Sequence, residues 1–326
     1  MRPALVWLSL AAGLLLFIPF AVTADWSHAA QLLREANPEY LLLYLAATTV
    51  IICLLALRWH VVTRASGIDV PYRKQLTYHI ARFAVSFVTP GPRVGGDAVA
   101  AGLLTRHTIK RRKARFSEAF STLALDRAVE VQTFAVLFFM GVLYFTLTGS
   151  LPVALRIPVA VFSAAVLGIA VLIAVGLARK KLLVTALAKR FAKKRKTIRA
   201  IESFEQITQR FYRTKPKSFL TAVGVSALAW LLSLVEYTAV LRLLGFDPAL
   251  WMTFLIFSFV GFAYIIPIPL ALGTLESAQS AAFALVGLAP VGGILLAFLI
   301  RIRDGTIALL GFIILATNGL NRKRLS

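Results

Sequence analysis

The chain has 326 residues, 59% of them hydrophobic, with a mean hydropathy of +0.80 and a formal charge of +22. Soluble domains hold about half apolar residues with glycine included, so the composition excludes an ordinary soluble enzyme and points to a polytopic membrane protein. The basic excess belongs with cytoplasmic loops that face anionic lipid rather than with nucleic acid, and the lone Cys53 excludes a disulfide framework or a cysteine zinc site within the chain.

The first apolar run, Ala4 to Thr23, is read as a retained span, although Val22-Thr23-Ala24 before Asp25 also fits a signal-peptidase site. The loop after it has no basic excess and reads as outside. The second span runs from Tyr40 to about Leu57, and Arg58, Arg64, Arg73 and Lys74 follow it, which places its end in the cytoplasm.

Next comes a segment, 77–105, that breaks its own helix at Thr89-Pro90-Gly91-Pro92-Arg93-Val94-Gly95-Gly96-Asp97. A single crossing here puts the basic block Arg106 to Arg115 outside, against the charge rule. A hairpin that dips in from the cytoplasm and returns keeps the block inside, and Tyr78 to Thr89 as helix reaches about 18 Å, enough for mid-membrane but not to cross. The alternative is a segment lying in the interface plane.

A charged span, 116–146, follows with Asp126, Arg127 and Glu130, and a further span covers Ile157 to Leu177. Segment 179–217 carries many Lys and Arg, and from Ile198 on its apolar residues recur every three or four positions. It reads as a cytoplasmic amphipathic helix on anionic headgroups. Ser218 to Leu244 is the fifth span. The segment 249–288 then breaks at Pro267-Ile268-Pro269 through Gly273-Thr274-Leu275-Glu276, with no Lys or Arg between Arg242 and Arg301. That lack of charge favours a hairpin entering from outside over two full crossings, although both end on the same side. The last span, 291–316, holds Arg301, Arg303 and Asp304, and Arg322-Lys323-Arg324 follow it inside.

The order of parts predicts an all-α polytopic membrane protein with about six transmembrane helices and two re-entrant helical hairpins in an inverted-topology repeat. Residues 1–150 form the first repeat and 151–326 the second, and both termini are cytoplasmic. Transporters built this way place substrate near the midplane on discontinuous helices.

An Arg or Asp at a helix centre costs about 2.5 to 3.5 kcal/mol on insertion scales. The charges inside these apolar segments must therefore face one another, water or a polar ligand. Asp126 and Glu130, four apart on one face, call for a cation between them, and Arg93 is the candidate. Arg301 and Asp304 share a face three apart, while Arg303 points elsewhere. The predicted substrate-binding set is Arg82, Arg93, Asp97, Asp126, Arg127, Glu130, Gly273, Thr274, Glu276, Arg301 and Asp304. Arginines beside half-helix N-termini suit a phosphate-bearing headgroup, and equally these pairs serve to hold helices in register.

Enzyme signals are thin. The sequence has no G-x-S-x-G, H-E-x-x-H or P-loop, and Val94-Gly95-Gly96-Asp97 lacks the first glycine of the Gly-x-Gly-Asp of intramembrane aspartyl proteases. No metal site, cofactor or catalytic residue is expected.

Pro90 through Asp97, Ala124-Leu125-Asp126-Arg127, Pro267-Ile268-Pro269 through Gly273-Thr274-Leu275-Glu276, and Arg301 with Gly311 together resemble the membrane region of lysylphosphatidylglycerol synthases, the flippase-like family of integral membrane proteins. The resemblance implies movement of a lipid between leaflets of the inner membrane. It leaves the substrate open among phospholipids, polyprenyl-linked sugars and hopanoid-type lipids. The soluble aminoacyl-transferring domain of the full synthases has no counterpart in these residues, so lysine transfer from tRNA is not implied. The alternatives are a non-transporting subunit that presents lipid to an envelope-lipid or glycolipid biosynthetic enzyme and, more weakly, a membrane-embedded transferase.

Overall fold

The computed structural model describes residues 37–89, 94–106, 116–178, 195–265 and 268–323, with residues 185 and 189 and a few positions between 14 and 22. The first predicted span falls mostly outside the described residues, as do Arg93 and the basic block at 107–115. The described chain is helical throughout, with no strand among the described residues.

The helices in chain order are α1 (Pro38–Ala65), α2 (Tyr72–Val88), α3 (Val94–Arg106), α4 (Phe116–Leu147), α5 (Val153–Ala178), α6 (Arg195–Thr214), α7 (Pro216–Leu243), α8 (Leu250–Ile265), α9 (Thr274–Leu285) and α10 (Pro290–Lys323). Among the described residues, four stretches are long and apolar enough to cross a membrane: α1, α4, Val153–Leu172 of α5, and α7. Their outer faces carry exposed Leu, Val, Ile and Phe, as a lipid-facing surface requires. α10 has the length to span but carries Arg301, Arg303 and Asp304 along its course.

Both sequence breaks appear as helix breaks. α2 stops at Val88 and α3 starts at Val94. Between α8 and α9 lies a short 3₁₀ turn, Pro269–Ala271, and Gly273 at φ 74° precedes α9. At 1.5 Å per residue α2 reaches about 25 Å and α9 about 18 Å, each short of a core of about 30 Å.

The chain packs as two compact units. One is formed by Met1–Cys53, Leu76–Leu103 and Leu231–Ser326, and the other by Leu54–Gln75 and Leu104–Trp230. Both broken segments therefore belong almost wholly to the first unit. There a Cβ on Gly96 would overlap the Arg82 carbonyl oxygen and the Ser86 hydroxyl, so this glycine is what lets α3 lie against α2. Gly311 serves the same purpose where α10 meets α2, since a Cβ there falls 2.5 Å from both Ala84 Cβ and the Ile80 carbonyl oxygen. The core of the second unit joins Val62, Leu125, Val129, Phe211 and Ala222. Phe211 brings the apolar side of α6 onto this protein core, and Arg210, Arg213, Lys215 and Lys217 remain exposed.

The helix bounds recur along the chain. α1 and α7 are each 28 residues long and start 178 positions apart, at Pro38 and Pro216, and α2 and α8 start at the same interval, at Tyr72 and Leu250. α1 and α7 also end alike, in Arg64-x-x-Gly67-x-Asp69 and Arg242-x-x-Gly245-x-Asp247. In each, the glycine at φ 81° or 80° closes a Schellman turn. Gly67 N–H donates to the Arg64 carbonyl and Ile68 N–H to that of Thr63, while Gly245 N–H donates to Arg242 and Phe246 N–H to Leu241.

Candidate functional site

The charged residues of the apolar helices are gathered into ion-paired clusters. In the second unit, Arg58 of α1 is 1% exposed. Its Nε donates to Asp126 Oδ1 at 2.7 Å, and a terminal nitrogen donates to Asp126 Oδ2 at 3.3 Å and Glu130 Oε2 at 3.0 Å. The other terminal nitrogen donates to Ser226 Oγ of α7 at 3.2 Å. Arg127, a quarter exposed, donates to Glu130 Oε2 at 2.7 Å. Two acids four apart on α4 are thus reconciled by a guanidinium, as their spacing requires. Among the described residues that guanidinium is Arg58; Arg93, the candidate from the sequence, lies outside them. α1 continues two turns beyond the apolar run to Ala65, so Arg58 sits inside the helix rather than past its end.

The described residues of the first unit hold three further clusters. At the first break, Arg82 Nε of α2 donates to Asp97 Oδ1 at 2.5 Å, with both residues buried. The pair ties the two arms of the broken segment together, and Asp97 in the first turn of α3 also meets the positive end of that helix.

At the second break, Arg301 of α10 pairs through Nε and a terminal nitrogen with both carboxylate oxygens of the fully buried Glu276. The remainder of its fork donates to the carbonyls of Leu270 at 2.6 Å and Ala271 at 2.8 Å. Thr274, at the start of α9, donates to the Ala271 carbonyl at 3.0 Å, or to that of Ala263 at 3.2 Å.

The third cluster joins α1, α7 and α10. Arg303 donates to Glu236 Oε1 at 2.8 Å and to Asp304 Oδ1 at 2.9 Å, and Thr48 Oγ1 donates to Glu236 Oε1 at 2.5 Å. The buried Tyr44 faces the same charges. Asp304 therefore pairs with its neighbour Arg303, while Arg301 turns back to the break. Arg301 and Asp304, three apart on α10, thus serve two separate contacts.

The site predicted from the sequence included neither Arg303 nor Glu236, and it missed Arg58. The available signal was position. The interval of 178 that relates α1 to α7 also relates Thr48 to Ser226, Arg58 to Glu236 and Asp126 to Asp304. Each of α1 and α7 carries a charge ten residues after a hydroxyl. Each charge bonds the hydroxyl of the other helix, Arg58 to Ser226 and Glu236 to Thr48.

Outside the membrane-length helices, Tyr212 of α6 donates to Gln132 Oε1 of α4. Burial raises the Tyr212 phenol above its ordinary range, against the lowering from that bond. No group of three or more metal-ligating His, Cys, Asp or Glu gathers among the described residues.

An all-α chain with membrane-length apolar helices and charged side chains buried as ion pairs is a polytopic integral membrane protein. Residues 6–311 match the family described as lysylphosphatidylglycerol synthase TM region, and the chain belongs to that family. It is also similar to a UPF0104 membrane protein of Methanothermobacter thermautotrophicus, with 27% identity over 272 residues that cover 79% of each chain. No solved structure matches.

Proposed function

We propose that this chain is a lipid flippase-like transporter of the inner membrane that passes a phosphate-bearing headgroup across a polar interior while the acyl chains stay in the bilayer. The observation that carries the reading is the state of the mid-helix arginines. Arg127, Arg301 and Arg303 each belong to an ion pair yet leave 26%, 13% and 18% of the side chain open. A guanidinium held in place and partly open at that depth offers bidentate donors to phosphate where lipid tails offer nothing polar.

The recurrence at an interval of 178 residues supports an inverted-topology repeat with the broken segments as re-entrant hairpins. The basic residues of 179–217 fit a cytoplasmic face against anionic headgroups, with both termini on that side. In this reading the chain makes and breaks no covalent bond, and an envelope-lipid biosynthetic enzyme is a natural partner.

The test is the full chain reconstituted in phosphatidylglycerol vesicles with a headgroup-labelled phospholipid. The label should reach the opposite leaflet faster than in protein-free vesicles, and Arg127→Ala and Arg301→Ala should slow it. Exchange no faster than in empty vesicles, with both variants inert, would instead point to a subunit that presents lipid to an enzyme.

A further inference from the structure

The break between α8 and α9 contains two consecutive residues other than glycine in the left-handed region, Leu270 at φ 57° and Ala271 at φ 48°. A side chain at positive φ crowds the neighbouring carbonyl, and L residues visit this region singly if at all. Such a turn persists only where its surroundings over-determine it, and it marks a place to look for function.

The turn's own bonds are Ala271 N–H to the Ile268 carbonyl at 3.1 Å and Leu272 N–H to the Pro269 carbonyl at 3.2 Å. It is held from outside by Arg301, whose fork reaches the carbonyls of the same two residues, Leu270 and Ala271, and by the Thr274 hydroxyl, which reaches the Ala271 carbonyl at 3.0 Å. The adjoining Nε edge of the guanidinium is fixed by Glu276 in the first turn of α9, with one terminal nitrogen shared between Glu276 and the Ala271 carbonyl.

The two edges are not equally firm. The bonds to Glu276 are charge-assisted from both sides, whereas those to the carbonyls are charged on the donor alone. An anion arriving at Arg301, whose side chain is 13% exposed, displaces the carbonyls before it displaces the acid. Phosphate oxygens match the planar fork bidentately.

We propose that Arg301 is an anion-released latch: phosphate oxygens that bond its guanidinium take it off the Leu270 and Ala271 carbonyls, and the left-handed turn, held from outside only by the Thr274 hydroxyl on Ala271 among the bonds described, opens. The latch requires a phosphate, and it rests on the proposed function only in taking a lipid headgroup as the source.

The experiment is hydrogen exchange of the amides in 268–273, read by mass spectrometry on the full chain in bilayers of three compositions. These are phosphatidylglycerol, digalactosyl diacylglycerol without phosphate, and the galactolipid with added inorganic phosphate. The wild-type turn should exchange about tenfold faster in phosphatidylglycerol than in galactolipid alone. Acceleration by inorganic phosphate as well would make free phosphate sufficient, and its absence would assign the latch to the headgroup. No acceleration by either phosphate overturns the proposal.

Arg301→Gln should exchange fast already in galactolipid and gain nothing from phosphatidylglycerol. Ala271→Gly, which relieves the crowding at positive φ, should stay slow in phosphatidylglycerol with Arg301 intact. An Arg301→Gln variant as slow as wild type in galactolipid, or an Ala271→Gly variant that opens like wild type, contradicts the latch. Leaflet exchange measured on the same bilayers separates the two claims. Phosphate-dependent opening without lipid movement leaves the latch standing and removes the transport reading, and lipid movement without opening does the reverse.

Discussion

Arg58→Met tests the reading of the α1 to α4 cluster in a way that separates an ion pair from mere packing. Arg58 makes three hydrogen bonds to carboxylates, two to Asp126 and one to Glu130. Arg127 still serves Glu130 in the variant, so the loss falls on Asp126, which has no solvent exposure. Removing one partner of a buried pair costs about 3 to 5 kcal/mol because the other is left charged in a medium of low dielectric. For a chain of this size that is a fall in unfolding midpoint of roughly 5 to 10 °C. The assay is thermal unfolding in detergent, followed by near-UV circular dichroism for Arg58→Met, Asp126→Leu and the double variant. The double should recover most of the loss, because replacing a whole buried pair with apolar side chains of similar volume is often neutral or stabilising. A single variant within about 1 kcal/mol of wild type, or a double no better than either single, would refute the reasoning.

Three further outcomes follow from packing. Gly96→Ala drives a methyl group into the Arg82 carbonyl and the Ser86 hydroxyl and should cost about 1 to 3 kcal/mol in the same unfolding assay. Gly224→Ala, inside α7 with open space around the added Cβ, should instead gain about 0.5 to 1 kcal/mol, and a loss there would show that the helix packs differently. Phe211→Ala empties a site 5% exposed in the core of the second unit, at about 3 to 5 kcal/mol. It should expose α6 to trypsin at Arg210 and Arg213 in limited proteolysis, and an unchanged cleavage pattern would mean that α6 is held by other contacts.

Much of the fold follows from local chemistry. Apolar runs located α1, α4, α5 and α7, and the Pro and Gly clusters located both breaks, because proline lacks the N–H a helix needs and glycine tolerates the backbone that follows. Pairing was harder to read, since Arg58 and Asp126 lie 68 positions apart and neither residue names the other. Hydropathy also placed Arg58 outside the span: an apolar run ends where the charges begin, while the helix continues to Ala65 because a partner on α4 makes burial of the charge tolerable. The period of α6 revealed which side is apolar but not what covers it, and Phe211 covers protein rather than lipid. The order of parts suggested a repeat, but its register was concealed by sign, because Arg58 stands 178 positions before Glu236. The Arg-x-x-Gly-x-Asp helix ends at Arg64 and Arg242 carry it openly.

The central claim is that the two breaks lie within the membrane, reached from opposite faces, and build a polar interior there. Single cysteines at Thr89 and Leu272, in a Cys53→Ala background, allow labelling of sealed vesicles from each side with a membrane-impermeant maleimide. The account predicts slow labelling at both positions relative to a cysteine at Asp247, with Thr89 favoured from the cytoplasmic face and Leu272 from the opposite one. Rapid labelling of both from the same face would contradict it.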